Sequence, residues 1–256
     1  MPPTAPLYDG IGDGYAAHRR EDPAIKARIA AALGDARRIV NVGAGAGSYE
    51  PGDRATFAVE PSRVMVDQRS PGAGPAVRAV AGDLPFVDDA FDAAMSVLSI
   101  HHWTDAQERG VREMCRVAKR RVAIVTIDPT PSGEMWLMAD YLTEVAELDH
   151  RIFPDPGQVA SWIGPHATVE AIEVPRDTPD GMLLSFWAHP ERVLDAGARA
   201  ATSGFARQPK DVIDRVVADV RRDLDSGEWD RRHGHLRDLD AYDAGLRLVT
   251  GEVARG

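Results

Sequence analysis

A single cysteine stands in the 256 residues of this chain, so no internal disulfide can staple it and the fold must rest on packing. Cys115 lies in VREMCRVAK, where helical spacing points it inward with Val111 and Met114; that pattern predicts a small core residue, not a nucleophile. Positive charge is also in deficit: 30 Lys and Arg stand against 40 Asp and Glu, a formal charge of −10. General affinity for nucleic-acid phosphates or an anionic membrane is thereby disfavoured, because Lys and Arg dominate binding to both. The short basic clusters at 119–121, 221–222 and 231–232 are flanked by acids and read as solvated faces. No apolar run approaches the ~20 residues that span a bilayer, and the opening MPPTAPLYDG has neither the basic nor the apolar region of a secretory signal. The expectation is a cytoplasmic protein with no membrane or nucleic-acid partner. Repeats and low-complexity blocks are missing too.

What remains is ordinary: 44% hydrophobic residues, enough for one sizeable core and hence one domain over 1–256. Residues 22–33 place Ile25, Ile29 and Leu33 on one helical face, with Asp22 as N-cap, Pro23 at the first helical position and Gly34 closing the helix. Five strand-like runs follow, at 38–42, 56–60, 76–81, 91–99 and 121–127. Most are near-continuously apolar, as in a parallel sheet covered on both faces. Asp105 and Glu108 form a candidate capping box for a helix reaching Val117. Strands joined by such crossovers predict a doubly wound α/β sheet. Farther on, residues 133–148 read as an amphipathic helix through Met135, Met138, Leu142 and Val145, and a second helix runs from Pro156 to Gly164. A sixth strand is expected at 168–174, then helical segments to about 240, opened by Thr178–Pro179 and by Pro190. The seventh strand is expected at 245–251; the alternative, MLLSFW at 182–187, is disfavoured by the helix-opening signal before it.

The most informative stretch is VNVGAGAGSYEP at 40–51, where a strand runs into Gly43, Gly45 and Gly47. Such a loop turns tightly and leaves room for a ligand against the backbone. It serves both dinucleotides and S-adenosylmethionine, so the surroundings must choose. Position 48 is Ser where the dinucleotide pattern has Gly or Ala, and only residues 48–55 separate the loop from the second strand. A full helix presenting its N-terminus to a pyrophosphate does not fit easily there. Glu60, ending the second strand, can accept from both ribose hydroxyls of either ligand. The bland rivals are a Glu60 paired with a surface Arg and an Asp83 that merely caps the turn in GDLP.

Four features in order, VGAGAG at 42–47, VEPS at 59–62, AGDLPF at 81–86 and FDAAMSVLSIHHW at 91–103, resemble class I S-adenosylmethionine-dependent methyltransferases. The likeness is to the small-molecule group that includes quinone-biosynthesis enzymes and covers roughly residues 8–127. It implies a Rossmann-like doubly wound seven-stranded sheet, mostly parallel with an antiparallel last strand, plus a helical lid insertion. In that arrangement 1–34 cover the cofactor, 35–174 form the core sheet, 175–240 the lid and 241–256 the last strand. The resemblance implies S-adenosylmethionine as cofactor, with Gly43, Ala44 and Gly45 along its methionine part and Glu60 on the ribose. Pro61 and Ser62 would flank the adenosine, Asp83 would accept the adenine amino group, Leu84 would cover the ring, and Leu98 would line the cofactor. Upstream, Tyr8, Tyr15 and Arg19 resemble the segment that closes over the cofactor, with Arg19 on the methionine carboxylate.

Methyl transfer needs no covalent nucleophile, because the cofactor supplies the leaving group. An acceptor hydroxyl or acidic carbon needs a general base, and His is tuned for that near neutral pH. His102, then His101, just after the fourth strand, are the candidates; the bland alternative is a loop-ordering role. The remaining His show no metal-ligand spacing, so no metal is expected. Trp136, Phe153, Trp162, Phe186 and Trp187, interspersed with Tyr141, His150 and His189, form as a group the expected apolar pocket for a small-molecule acceptor. Two rival readings share the fold: a nicotinamide-dependent oxidoreductase, and an S-adenosylmethionine binder that methylates nothing. A nucleic-acid methyltransferase ranks below both on charge.

Overall fold

The computed structural model describes residues 20–253. Helix α1 (Pro23–Leu33) starts where the sequence places it: the Asp22 carboxylate accepts the backbone N–H groups of Ala24 and Ile25 at 2.8 and 3.1 Å. Its buried face is Ile25, Ile29 and Leu33. Then come β1 (Arg38–Val42), β2 (Ala55–Val59), α2 (Arg63–Asp67), β3 (Ala76–Val77), β4 (Phe91–Val97), α3 (Gln107–Val117), β5 (Ala118–Ile127), α4 (Pro129–Glu134), α5 (Thr143–Ile152), α6 (Pro156–Ile163), β6 (Thr168–Ala171) and β7 (Val174–Pro175). The segment 175–240, expected as a lid, holds α7 (Ala196–Ala200), α8 (Ser203–Ala206), α9 (Lys210–Asp225) and α10 (Glu228–His233), and β8 (Ala241–Tyr242) and β9 (Leu246–Glu252) follow.

Seven strands form one sheet in the order β3-β2-β1-β4-β5-β9-β6. The pairs from β3 to β5 are parallel, and β9 runs antiparallel between β5 and β6. The period of two in each strand divides the side chains between two cores. Ile39, Met95, Ala123 and Val125 face α1 and the lid. Val40, Ala94, Val122 and Ile124 face α3 and α6, against Val111, Met114 and Trp162. Both faces are covered, which is why these strands read as unbroken apolar runs. No helix among the described residues is long and apolar enough to cross a membrane.

Several boundaries differ from expectation, each for a local reason. The third strand pairs only at Ala76–Val77; it is an edge strand, and Val80 is exposed and linked only by a bridge to Asp83. The fourth stops at Val97 because Leu98 takes a left-handed φ of 50°, and the fifth starts at Ala118, where α3 passes straight into the sheet. The Asp105–Glu108 capping box does not form: Thr104–Ala106 make a 3-10 turn, and α3 begins at Gln107 with no side-chain cap. The expected helix at 133–148 is broken into α4, a π-turn at Leu137–Tyr141 and α5, although Met135, Met138, Leu142 and Val145 are all buried. The missed start signal is Asp128, which accepts the Thr130 N–H at 3.1 Å, with Pro129 next. The sixth strand ends at Ala171, and Val174 instead pairs with Tyr242. Thr178–Pro179 opens no helix; the first lid turns are 3-10, at Leu183–Ala188 and Pro190–Leu194, so MLLSFW is not a strand either.

Trp187 belongs to the lid-side core and not to an acceptor pocket. It is fully buried, its indole N–H donates to the Val174 carbonyl at 3.1 Å, and its ring stacks on Tyr242. Trp187→Phe removes that donor and leaves a buried carbonyl unmet, so urea unfolding should show a loss of about 1–3 kcal/mol. Ligand affinities should stay unchanged in the folded protein. A selective loss of acceptor affinity would return Trp187 to the pocket.

Candidate active site

The connection from β1 to β2 contains no helix. Gly43, Gly45 and Gly47 have φ of 71°, 52° and 96°, and the N–H groups of Gly43 and Ala44 both donate to the Val59 carbonyl, at 2.8 and 3.0 Å. Glu60, buried at the end of β2, locks this loop: its two carboxylate oxygens accept the N–H groups of Gly45 and Ser62, each at 2.8 Å. Ser62 caps α2 by accepting from Met65 at 3.3 Å, and the Pro61 carbonyl accepts from Arg78 at 3.2 Å.

After β3 the chain turns so that Asp83 is exposed while Leu84 is buried. Helix α3 braces that turn: Glu113 accepts the Leu84 N–H at 2.9 Å, and Arg116 donates to the Leu84 carbonyl at 3.1 Å. The Arg116 hydrogen bond holds the Glu113 carboxyl below its ordinary range, so the brace stays charged. Gly43, Ala44, Gly45, Glu60, Pro61, Ser62, Asp83, Leu84 and Leu98 therefore share the carboxyl ends of β1 to β4, the edge where open α/β sheets bind ligands. Tyr8, Tyr15 and Arg19 lie outside the described residues.

This edge suits a phosphate-free nucleoside better than a dinucleotide. No helix N-terminus follows the glycine loop, and the nearby Arg69, almost fully buried, is held by both oxygens of Glu50 at 3.0 and 2.8 Å. The acceptors it offers are two carboxylates, Glu60 and Asp83, matched to hydroxyl and amino hydrogens.

Past Leu98 the edge opens into a cavity of about 70 Å³. Its walls are the ends of β4 and β5, the apolar face of α5 with Phe153, and the lid around Met182–Leu184 and Thr202–Gly204. Three ionisable groups line it, His101, Asp149 and Arg207, and His102 adjoins them through Arg207. His101, on the 3-10 turn after β4, is buried, stacks on Phe153 at 4.2 Å between ring centres, and leaves Nδ1 without a partner. Burial, then His102 and Arg207, push its pKa well below the usual histidine value. His102 meets Arg207 through Nδ1 at 3.2 Å. A guanidinium can only donate, so Nδ1 accepts and the neutral ring carries its proton on Nε2. Burial, then Arg207, lowers its pKa to about 4. Asp149, on α5, is pushed up to about 7 by burial among apolar side chains, with Arg207 opposing.

Asp149 and Arg207 were not among the sequence candidates, since both sit in stretches dense with charge. One signal was present: Asp149 follows Val145 by four residues and so shares the inward face of its helix. Of the expected acceptor aromatics, Phe153 alone lines the cavity. Trp136, Tyr141, Phe186 and Trp187 fill the lid-side core, Trp162 packs on the opposite face of the sheet, His150 is exposed, and His189 contacts the Arg176 carbonyl at 3.0 Å. Burial pushes the Cys115 thiol up to about 11, which keeps it protonated and unreactive. Among the described residues no group of three or more His, Cys, Asp or Glu is placed to hold a metal.

Residues 40–126 match a family model described as a methyltransferase domain. A protein of Anabaena variabilis described as a methyltransferase of an antibiotic biosynthesis pathway is 27% identical, over 91% of this chain and 98% of its own, with a TM-score of 0.83. Geranyl diphosphate C-methyltransferase from Streptomyces coelicolor, solved with Mg2+, geranyl diphosphate and S-adenosylhomocysteine, is 15% identical, over 90% of this chain and 79% of its own, with a TM-score of 0.51. A phosphoethanolamine N-methyltransferase of Haemonchus contortus, solved with phosphomonomethylethanolamine and S-adenosylhomocysteine, is 12% identical, over 97% of this chain and 58% of its own, with a TM-score of 0.56. At these identities the last two speak for the fold alone. No curated protein sequence matches the chain.

Proposed function

Since the chain is a class I S-adenosylmethionine-dependent methyltransferase, we propose that it methylates a small molecule bound in the cavity between the ends of β4 and β5 and the lid. One observation carries this reading: Leu98, just past β4 on the sheet edge that holds the glycine loop, also lines the cavity, so the two sites adjoin at one residue. Gly43, Ala44 and Gly45 would run along the methionine part of the cofactor, and Glu60 would take the ribose hydroxyls. Pro61 and Ser62 would flank the adenosine, Asp83 would take the adenine amino group and Leu84 cover the ring, while Tyr15 and Arg19 would close over the cofactor. The cofactor supplies a methyl carbon on a sulfonium, whose bond to sulfur breaks with its electron pair as the acceptor's lone pair forms the new bond.

The chain's own task is to orient the acceptor, exclude water and take a proton. Asp149 is the proton acceptor in this reading, because a base works best when its pKa lies near the working pH. His101 forms the wall, and His102, with Nδ1 engaged by Arg207, positions that guanidinium; neither ring is the base. The segment 175–240 supplies the lid side of the cavity in this reading, through Met182–Leu184, Thr202–Gly204 and Arg207.

The test is calorimetry with S-adenosylhomocysteine, followed by an acceptor screen that reads homocysteine product. Wild type should bind, and Glu60→Ala should bind at least about tenfold more weakly, because it removes the hydroxyl acceptor and frees the loop N–H groups. No binding by wild type, or full affinity in Glu60→Ala, overturns the reading. His102→Ala should raise KM for the acceptor about tenfold while sparing S-adenosylhomocysteine affinity; unchanged KM would deny it a positioning role.

A further inference from the structure

Arg221 is exposed to solvent; the other lid arginines are met by neighbours, with one exception. Arg192 donates to the Ser185 carbonyl and hydroxyl, Arg199 to the Val193 carbonyl, and Arg215 to Tyr141 and Glu144. Arg207 forms no ion pair among the described residues; its Nε is buried without a partner, and its guanidinium meets only His102. It is also the sole Lys or Arg among the described residues that line the cavity. Of the five donors a guanidinium carries, the Arg207 Nε–H is buried without a partner, and leaving such a donor unmet is costly unless something arrives to meet it.

We infer that Arg207 is an anion subsite, and that the methyl acceptor is a small apolar molecule carrying one carboxylate. The flat guanidinium matches a planar carboxylate through paired hydrogen bonds. A phosphate ester fits less well: one guanidinium faces it, and the Asp149 carboxyl in the same cavity repels a dianion. An ammonium is disfavoured by Arg207 itself. The groups that titrate or carry charge around the subsite are Asp149 on α5 and His101 and His102 on the turn after β4; the remaining walls are apolar or hydroxylic. The inference rests on the methyltransferase reading for calling the cavity an acceptor site.

The experiment is calorimetry, with and without S-adenosylhomocysteine, using hexanoate and 3-phenylpropanoate, their amides, and 2-phenylethyl phosphate as probes. Wild type should bind at least one carboxylate about tenfold or more tightly than its amide. Arg207→Gln should bring the pair within about twofold, and Arg207→Lys should keep part of the preference. Asp149→Asn should tighten the carboxylate at pH 8 by removing the like charge, a readout that survives if Arg207→Gln fails to fold. Equal affinities in wild type, no binding of either carboxylate, tighter binding of the phosphate ester, or a preference retained in Arg207→Gln would each overturn the subsite. Failure of S-adenosylhomocysteine to bind sinks the functional reading instead, whereas its binding without carboxylate preference sinks this inference alone.

Discussion

Asp149→Asn is expected to cut turnover by roughly 10²- to 10⁴-fold, the range for a lost general base, while keeping S-adenosylhomocysteine affinity and making the protein more stable at pH 8. The first effect follows from placement and acidity together. Asp149 lines the cavity beside Leu98, and burial has brought its carboxyl up to about 7 from an ordinary 3.8. The carboxylate is the working form, so the wild-type rate should rise as pH passes through about 7 and then level off. His101 lines the same space and His102 sits beside it against Arg207; burial lowers the pKa of both, so both rings stay neutral across that window and neither should add a second rise. The second effect is linkage. Because the folded-state pKa lies above the unfolded one, the favourable contribution is complete below about pH 4 and is lost as pH rises through about 7. At full effect the loss is up to about 4 kcal/mol at 1.36 kcal/mol per pH unit. Asparagine cannot ionise and escapes it, so the stability gap between variant and wild type in urea should widen from pH 5 to pH 8. A flat rate profile between pH 6 and 8 with turnover intact in the variant would remove Asp149 from the chemistry. The same trade of stability for a poised group is common where sites are built from buried acids.

Much of the scaffold was legible because it depends on local rules. The Asp22–Pro23 start, the five parallel strands and the antiparallel return at 246–252 each carry a periodicity or cap that tertiary contacts reinforce. What went unread depends on contacts between distant segments. A π-turn at Leu137–Tyr141 breaks a helix whose apolar spacing runs on undisturbed, and the left-handed Leu98 ends a strand whose residues would happily extend it. The candidate cofactor residues were legible because glycines and strand-end acids are rare at such spacing. The cavity was not, because it is assembled from α5, the turn after β4 and the lid, three segments whose meeting no spacing encodes. Aromatics drew attention to the lid, yet their size suits the core, and they fill it. The polar groups of the cavity looked like surface charge until burial singled them out.

Gly43→Ala should be strongly damaging to both stability and ligand binding. At φ 71° a side chain already costs about 1–2 kcal/mol, and here the added carbon would lie 1.7 Å from the Ser99 hydroxyl oxygen and 2.6 Å from the Ser99 Cβ. Ser99 cannot simply rotate away, because its Cβ is itself inside contact distance and its hydroxyl accepts the Trp103 indole N–H at 3.1 Å. The loop must instead lift off β4. That motion pulls the Gly43 and Ala44 N–H groups from the Val59 carbonyl and the Gly45 N–H from Glu60, dismantling the surface on which the cofactor is proposed to lie. The expected result is a loss of more than about 3 kcal/mol in urea unfolding and at least about a hundredfold loss of S-adenosylhomocysteine affinity. The steric origin has its own check. Adding Ser99→Gly removes both offending atoms and should restore most of the stability, leaving the φ penalty of about 1–2 kcal/mol and a coupling between the two sites of at least about 2 kcal/mol. Purely additive costs in the double variant would mean that Gly43 is chosen for its backbone angle alone and that the close approach to β4 does not shape the loop.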